Sequence, residues 1–131
     1  MAQTEITPEE RKILLKSQQG ELDAVEMYNA LARTVRDIKD AETFRQLAEE
    51  EGGHAAVFKA MTDRVLKPQK TKAVLLPILY RVIGKKRVYH MIAKGEYDAV
   101  KKYLPVAERF PQVESVKDDE KRHGDMVLAL L

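Results

Sequence analysis

Four stretches of this sequence repeat apolar residues at alternating steps of three and four, and each interrupts its apolar run with one glutamate near the middle. The first stripe is Leu14, Ser17, Glu21, Ala24, Tyr28, Leu31 and Val35. The second is Phe44, Leu47, Glu51, His54, Phe58, Met61 and Val65. The third is Tyr89, Ile92, Glu96, Ala99, Tyr103, Val106 and Phe110, and the fourth is Val113, Val116, Glu120, His123, Val127 and Leu130. Such spacing puts each stripe on one helical face, the seam that a bundle buries. Period-two alternation is not sustained anywhere, so strands are not expected.

Helix punctuation frames the stripes. Thr7-Pro8-Glu9-Glu10 reads as a start, with Thr7 as cap, Pro8 in the first turn and Glu10 closing a capping box. The first helix is expected over about 8–36. Asp40 is the expected cap of a second helix over about 41–66, ending before Lys67-Pro68. Residues 67–84 form a connection with a short helix around 72–83 and a stop at Gly84. A third helix follows over about 86–108, its last turns bent or broken by Pro105, and a fourth over about 112–130, with Pro111 near its first turn. Short, long, short connections predict two antiparallel hairpins joined by a crossover, an all-α, ferritin-like four-helix bundle. At 131 residues the chain is one expected domain, 1–131.

The hairpins also look like copies. Gly20-Glu21-Leu22-Asp23-Ala24-Val25-Glu26-Met27-Tyr28 aligns with Gly95-Glu96-Tyr97-Asp98-Ala99-Val100-Lys101-Lys102-Tyr103, sharing six of nine residues. The glutamates then fall at about one height in the bundle. Four converging buried carboxylates repel one another and are costly unless compensated. The stripes offer no lysine or arginine at that level, whereas two divalent cations match four negative charges. Glu51-x-x-His54 and Glu120-x-x-His123 each place two ligands on one helical face. One glutamate from each of two helices and Glu-x-x-His from each of the other two is a carboxylate-bridged dinuclear set, suited to iron or manganese. The expected metal ligands are therefore Glu21, Glu51, His54, Glu96, Glu120 and His123. His90 is expected at the surface or facing the connector. Tyr28 and Tyr103, each two turns beyond a seam glutamate, are candidate hydrogen-bond partners of the ligands or of bound oxygen species, or else an aromatic core layer. Gly52 and Gly53 sit inside a helix between two expected ligands, where oxidant access or tight packing is the expected reason. Asp23 and Asp98 are expected to be solvated or to pair across a dimer surface.

Composition narrows the classes. Lys+Arg 23 against Asp+Glu 21 leaves +2, without the basic excess of a nucleic-acid binder. Cysteine is absent, which excludes disulfides, thiolate metal sites and a cysteine nucleophile, and fits a cytoplasmic chain. The longest uncharged apolar run, Ala73 to Tyr80, is too short to span a bilayer, and Met1 to Glu5 do not read as a leader peptide.

The chain resembles the rubrerythrin branch of the ferritin-like superfamily, and within it most resembles the ferritin-like domains joined to membrane transporters of the vacuolar-iron-transporter type. The resemblance runs from about Leu14 to Leu130. It rests on Gly20-Glu21, Glu49-Glu50-Glu51-Gly52-Gly53-His54, Gly95-Glu96 and Asp118-Asp119-Glu120-Lys121-Arg122-His123. It implies that Glu51 and Glu120 bridge two irons, with Glu21 and His54 completing one shell and Glu96 and His123 the other. It also implies Fe(II) oxidation by O2 or hydrogen peroxide, an electron donor and a homodimer. The sequence departs from the peroxide-reducing members: it has no cysteine-ligated rubredoxin-like domain, and Ala99 stands where they carry a second glutamate. The transporter portion is absent too, so the chain is either a stand-alone relative or an excised domain. Two other readings stay open. One is a non-enzymatic module that binds, senses or delivers iron or manganese. The other is a diiron hydroxylase of the demethoxyubiquinone type, whose quinone groove Ala73 to Tyr80 would line, unless that run is a dimer contact or core packing.

Overall fold

In the computed structural model, residues 5–131 are described; Met1 to Thr4, part of the stretch read for a leader peptide, lie outside them. Five helices follow in order: α1 (Pro8–Thr34), α2 (Ile38–Thr62), α3 (Thr71–Ile83), α4 (Lys85–Ala107) and α5 (Pro111–Leu128). No strand occurs among the described residues. Helix α1 packs mainly on α2 and α4 on α5, giving the two hairpins; narrower α1–α4 and α2–α5 contacts close the bundle. The crossover helix α3 lies on α1 and touches α4. The fold is the expected ferritin-like helical bundle.

The start of α1 is the capping box expected from Thr7 and Glu10: Glu10 N donates to Thr7 Oγ1 at 3.1 Å and Thr7 N donates to Glu10 Oε1 at 2.9 Å. Arg109, beyond α4, pairs with the same carboxylate, tying the two hairpins at this end of the bundle. At the start of α2 the expectation is corrected. Asp37, not Asp40, is the cap, accepting from Lys39 N at 2.8 Å and Asp40 N at 3.2 Å. Asp40 is buried, and accepts from Tyr89 Oη at 2.7 Å and Lys85 Nζ at 3.2 Å. A buried carboxylate with two donors on α4 pins the hairpins together, a use that local sequence does not reveal.

Helix α2 also stops earlier than expected, at Thr62, because Asp63 takes a left-handed conformation (φ 55°). The chain beyond is held against α1. Gln18 Nε2 donates to Arg64 O at 2.7 Å, Gln19 Nε2 to Lys67 O at 2.8 Å, and Asp23 accepts from Gln69 N at 2.7 Å. Val65 leaves the core stripe and is exposed, and Asp23 anchors the crossover rather than meeting solvent alone. Asp98 pairs with Lys94 on its own helix at 3.0 Å. Pro105 does not break α4, which continues to Ala107. Gly84 separates α3 from α4 with φ 88°, a value that side-chain-bearing residues rarely adopt.

Two apolar clusters fill the bundle. One gathers Tyr28, Leu31, Phe44, Leu47, Val88 and Tyr89; the other gathers Leu14, Phe58, Tyr103, Val106, Val113 and Val116. The polar residues of the four seams lie between them along the helices. Neither Gly52 nor Gly53 is needed for close packing: a Cβ at 52 would meet only Val25 at 3.9 Å, and one at 53 would meet nothing within 4 Å. The close approach occurs instead at Gly124, where a Cβ would sit 2.5 Å from Tyr97 Cε1. Tyr97 is held there by its hydrogen bond to Asp125 (2.6 Å). Gly53→Ala is therefore expected to stabilise by about 1 kcal/mol through helix propensity. Gly124→Ala is expected to destabilise by about 1–3 kcal/mol through overpacking. Urea unfolding of both variants checks the contrast, and equal effects would refute it.

Candidate metal centre

Helix α2 presents Glu51 and His54 inward, one turn apart, and α5 presents Glu120 and His123 in the same way. Glu21 comes from α1 and Glu96 from α4. All six are buried, with the four glutamates between 1% and 6% exposed. Ligand atoms of Glu51, His54, Glu120 and His123 all lie within 4.8 Å of one another. The six residues that the sequence singles out thus meet at one level. His90 stays exposed, as expected.

Each imidazole aims Nδ1 into the cluster. His54 Nδ1 lies 3.1 Å from Glu51 Oε1, 3.1 Å from Glu120 Oε1 and 3.5 Å from Glu21 Oε2. His123 Nδ1 lies 3.0 Å from Glu51 Oε1, 3.4 Å from Glu120 Oε1 and 3.8 Å from Glu96 Oε2. Glu51 and Glu120 are therefore shared between the two histidines, whereas Glu21 approaches only His54 and Glu96 only His123. The rings stand 5.5 Å apart and 21° from parallel.

The outer face of each imidazole carries a carboxylate that sequence reasoning did not single out. His54 Nε2 donates to Asp119 Oδ2 at 2.8 Å, and His123 Nε2 donates to Glu50 Oε1 at 3.1 Å. Each acid directly precedes a seam glutamate on the opposite helix, so the pair obeys the internal symmetry. Arg122 binds both, Asp119 at 3.3 Å and Glu50 more closely. A carboxylate on Nε2–H fixes the tautomer with its lone pair on Nδ1, the state a metal ligand requires. The available signal was the acidic residue immediately before the glutamate of each Glu-x-x-His pair, Glu50 before Glu51 and Asp119 before Glu120.

The tyrosines cross between hairpins. Tyr28 of α1 donates to Glu96 of α4, and Tyr103 of α4 donates to Glu21 of α1 at 2.6 Å. Burial, and then the neighbouring glutamate charges, push both phenols well above their usual range, so they remain hydroxyl donors.

A cavity of about 510 Å³ opens between α1 and α4 onto the cluster. Buried Glu21, Glu51, Glu96 and Glu120 line it together with the exposed Lys16, Lys72 and Lys102. Gly20 and Gly95 also line it, and a Cβ at either would meet nothing within 4 Å. Access is therefore over these two glycines rather than over Gly52 and Gly53. Of the run from Ala73 to Tyr80, only Leu76 reaches the cavity wall.

The electrostatics expose what the cluster lacks. Burial, then the Glu51 charge, push Glu21 well above the usual carboxyl range. Burial, then Glu51 and Glu120, push Glu96 up to about 10. Burial works to raise Glu120 as well, but hydrogen bonds from His123 and His54 hold it at about 2. Burial works to lower His123, but hydrogen bonds to Glu120 and Glu51 carry it up to about 11; His54 is raised in the same way by Glu120, Glu21 and Glu51. Outside the cluster, burial works to raise Glu50, but Arg122 and then His123 hold it at about 2. The protein alone thus relieves its crowded carboxylates by taking protons. Even so, several contacts within the cluster are close but poorly aligned: among the described residues Glu21 Oε2, Glu96 Oε2, Glu120 Oε1 and His123 Nδ1 are buried without a well-formed hydrogen bond. Four orphaned atoms of hard-to-intermediate donor type, facing one another, fit divalent cations of the iron or manganese kind.

The sign of the metal-free stability profile follows. Glu96 and His123 have raised folded values, so their contribution is complete below their ordinary 4.5 and 6.5 and fades as pH climbs towards about 10 and 11. Glu120 is depressed, so its contribution is present above 4.5 and is lost as pH falls towards about 2. Raising chelator-treated protein from about pH 6 to about pH 9 is expected to lower Tm by at least about 5 °C. A flat profile in scanning calorimetry would contradict this.

No curated protein and no solved structure matches the chain. A family model for rubrerythrin does match, over residues 12–131. That span includes all five helices except the first turn of α1, and every residue of the cluster. The chain belongs to the rubrerythrin family.

Proposed function

We propose that the cluster is a dinuclear non-haem iron centre, with manganese the alternative metal, and that the protein oxidises Fe(II) with O2 or hydrogen peroxide. In this assignment Glu51 and Glu120 would serve both ions, Glu21 and His54 would complete one ligand set, and Glu96 and His123 would complete the other. The carrying observation is the sharing pattern: two glutamates within 3.4 Å of both imidazoles and two near only one. Two adjacent redox-active ions supply the two electrons that peroxide reduction needs. The chain's own residues do the rest. Asp119 and Glu50 hold the imidazole protons on Nε2. Tyr28 and Tyr103 keep hydroxyl donors at the inner end of the cavity, hydrogen-bonded to Glu96 and Glu21, where they could orient an oxidant's oxygen. The apolar clusters above and below close the two ends of the site to bulk water and leave the cavity as the way in.

Ala99 supports a second reading. It lies on the cavity wall and offers no ligand where peroxide-reducing relatives carry a glutamate. A centre that binds iron or manganese for storage or delivery, as a domain accompanying a metal transporter would, needs no such residue. Stopped-flow mixing of anaerobic Fe(II)-loaded protein with hydrogen peroxide separates the two. Fast oxidation that recurs after re-reduction supports the oxidase; stable Fe(II) with slow, single oxidation supports the carrier.

A further inference from the structure

The overall charge of +2 hides a strong segregation. Between Arg64 and Gly95 there are nine lysines and arginines and no aspartate or glutamate, leaving 14 basic against 21 acidic residues in the rest of the chain. Helix α3 lies inside this segment. Its inner face buries Leu76 and packs Leu79 and Tyr80 against the core. Its outer face is apolar and uncovered: Val82 is 74% exposed, Val74 62%, Ile78 50% and Leu75 46%. At 3.6 residues per turn these four occupy an arc of about 100°, flanked by Arg81 on one side and Lys72 on the other. Lys86 and Arg87, both exposed, stand just beyond Gly84 at the end of α3. Lys85 is engaged by Asp40 and Lys94 by Asp98, but Lys72, Arg81, Lys86 and Arg87 have no ion-pair partner among the described residues.

We propose that the outer face of α3, with the basic start of α4, is a docking surface for an anionic phospholipid bilayer, on which the protein lies without crossing. No helix among the described residues is long and apolar enough to span a membrane. An amphipathic helix with an apolar stripe between cations is instead suited to the headgroup boundary, where the stripe enters the acyl edge and the lysines and arginines meet lipid phosphate. Charge decides between this occupant and a second copy. A two-fold dimer through α3 would set the same patch against itself, bringing Lys72, Arg81, Lys86 and Arg87 towards their own equivalents with no acid among them. An anionic surface removes that repulsion. The cavity that leads to the cluster shares Lys72 with this face and is also lined by the exposed Met91, so docking would set its mouth beside the lipid. The proposal does not depend on which metal the centre holds.

The test is sedimentation of the full chain with vesicles of phosphatidylcholine alone and of phosphatidylcholine with phosphatidylglycerol. Binding is expected to the anionic vesicles only, and to weaken with added salt. Arg81→Glu with Lys86→Glu is expected to lower the partition coefficient by more than about tenfold, as is Ile78→Ser with Val82→Ser. All four positions are exposed, and circular dichroism is the check that the variants fold. The chain has no tryptophan, so Val82→Trp supplies a single reporter whose emission is expected to shift to the blue on anionic vesicles. The proposal is overturned by absence of binding, by equal binding to neutral vesicles, or by an unshifted tryptophan. It is also overturned by light scattering that shows a dimer which Ile78→Ser with Val82→Ser dissociates while vesicles bind neither form.

Discussion

Glu51→Ala and Glu120→Ala are each expected to abolish binding of both proposed metal ions, whereas His90→Ala is expected to leave metal content unchanged. The structural reason is the sharing of these carboxylates: Glu51 Oε1 lies 3.1 and 3.0 Å from the two imidazole Nδ1 atoms, and Glu120 Oε1 lies 3.1 and 3.4 Å from them. If two cations bind as proposed, removing either would cost both a ligand and leave their charge opposed by one carboxylate fewer. Glu21→Ala and Glu96→Ala, whose side chains each approach a single histidine, are expected to weaken one ion and spare the other. Glu50→Gln and Asp119→Asn disturb only the imidazole orientation and are expected to reduce affinity about 10- to 100-fold. Metal analysis after dialysis reads the gradation directly. Equal losses at Glu51, Glu21 and His90 would sink the assignment.

Removing the metal exposes the second large effect. Bound ions would give the four orphaned atoms partners; without them, the cluster relieves its charge by taking protons onto buried groups. The chelated protein is expected to melt at least about 15 °C below the iron- or manganese-loaded protein, since binding that exists only in the folded state adds directly to stability. Taking the charge away should reverse the deficit in the chelated form. Glu21→Leu alone would strand the Tyr103 hydroxyl, which donates to Glu21 at 2.6 Å. An unpaired buried hydroxyl costs about 1–3 kcal/mol. Glu21→Leu with Tyr103→Phe removes both partners, and replacing a buried polar pair by apolar groups is expected to stabilise by about 1–4 kcal/mol. Thermal melts with chelator should place the double variant above the parent and above Glu21→Leu alone. A double variant that melts lower would mean that the carboxylate is not under strain.

Much of this was legible in one dimension. Helical period is a local property, so the four stripes marked which side chains share a buried face, and the interrupting glutamates stood out because burial without a partner is costly. Thr7, Pro8, Pro111 and Gly84 act on their own turns and marked boundaries correctly. The readings that failed are those in which a distant partner decides. Asp40 resembles a cap as well as Asp37 does, and only Tyr89 and Lys85, arriving from α4, draw it inward. The end of α2 depends on Gln18, Gln19 and Asp23 of α1, which hold residues 64–69 along their own helix. Glu50, Asp119 and Arg122 escaped notice because they lie off the seams. Their role exists only where α2 and α5 face each other.

The chain alone therefore determined that each bundle helix carries one glutamate on its apolar stripe, and two of them a histidine one turn later, because face and spacing are set by hydrogen bonds within a helix. The tertiary structure alone decided that Tyr28 reaches Glu96 and Tyr103 reaches Glu21, and that a cavity opens over Gly20 and Gly95. Those facts depend on how far one helix slides along another. That offset is set by the packing of two apolar clusters and the length of the crossover, and no stretch of sequence encodes it locally.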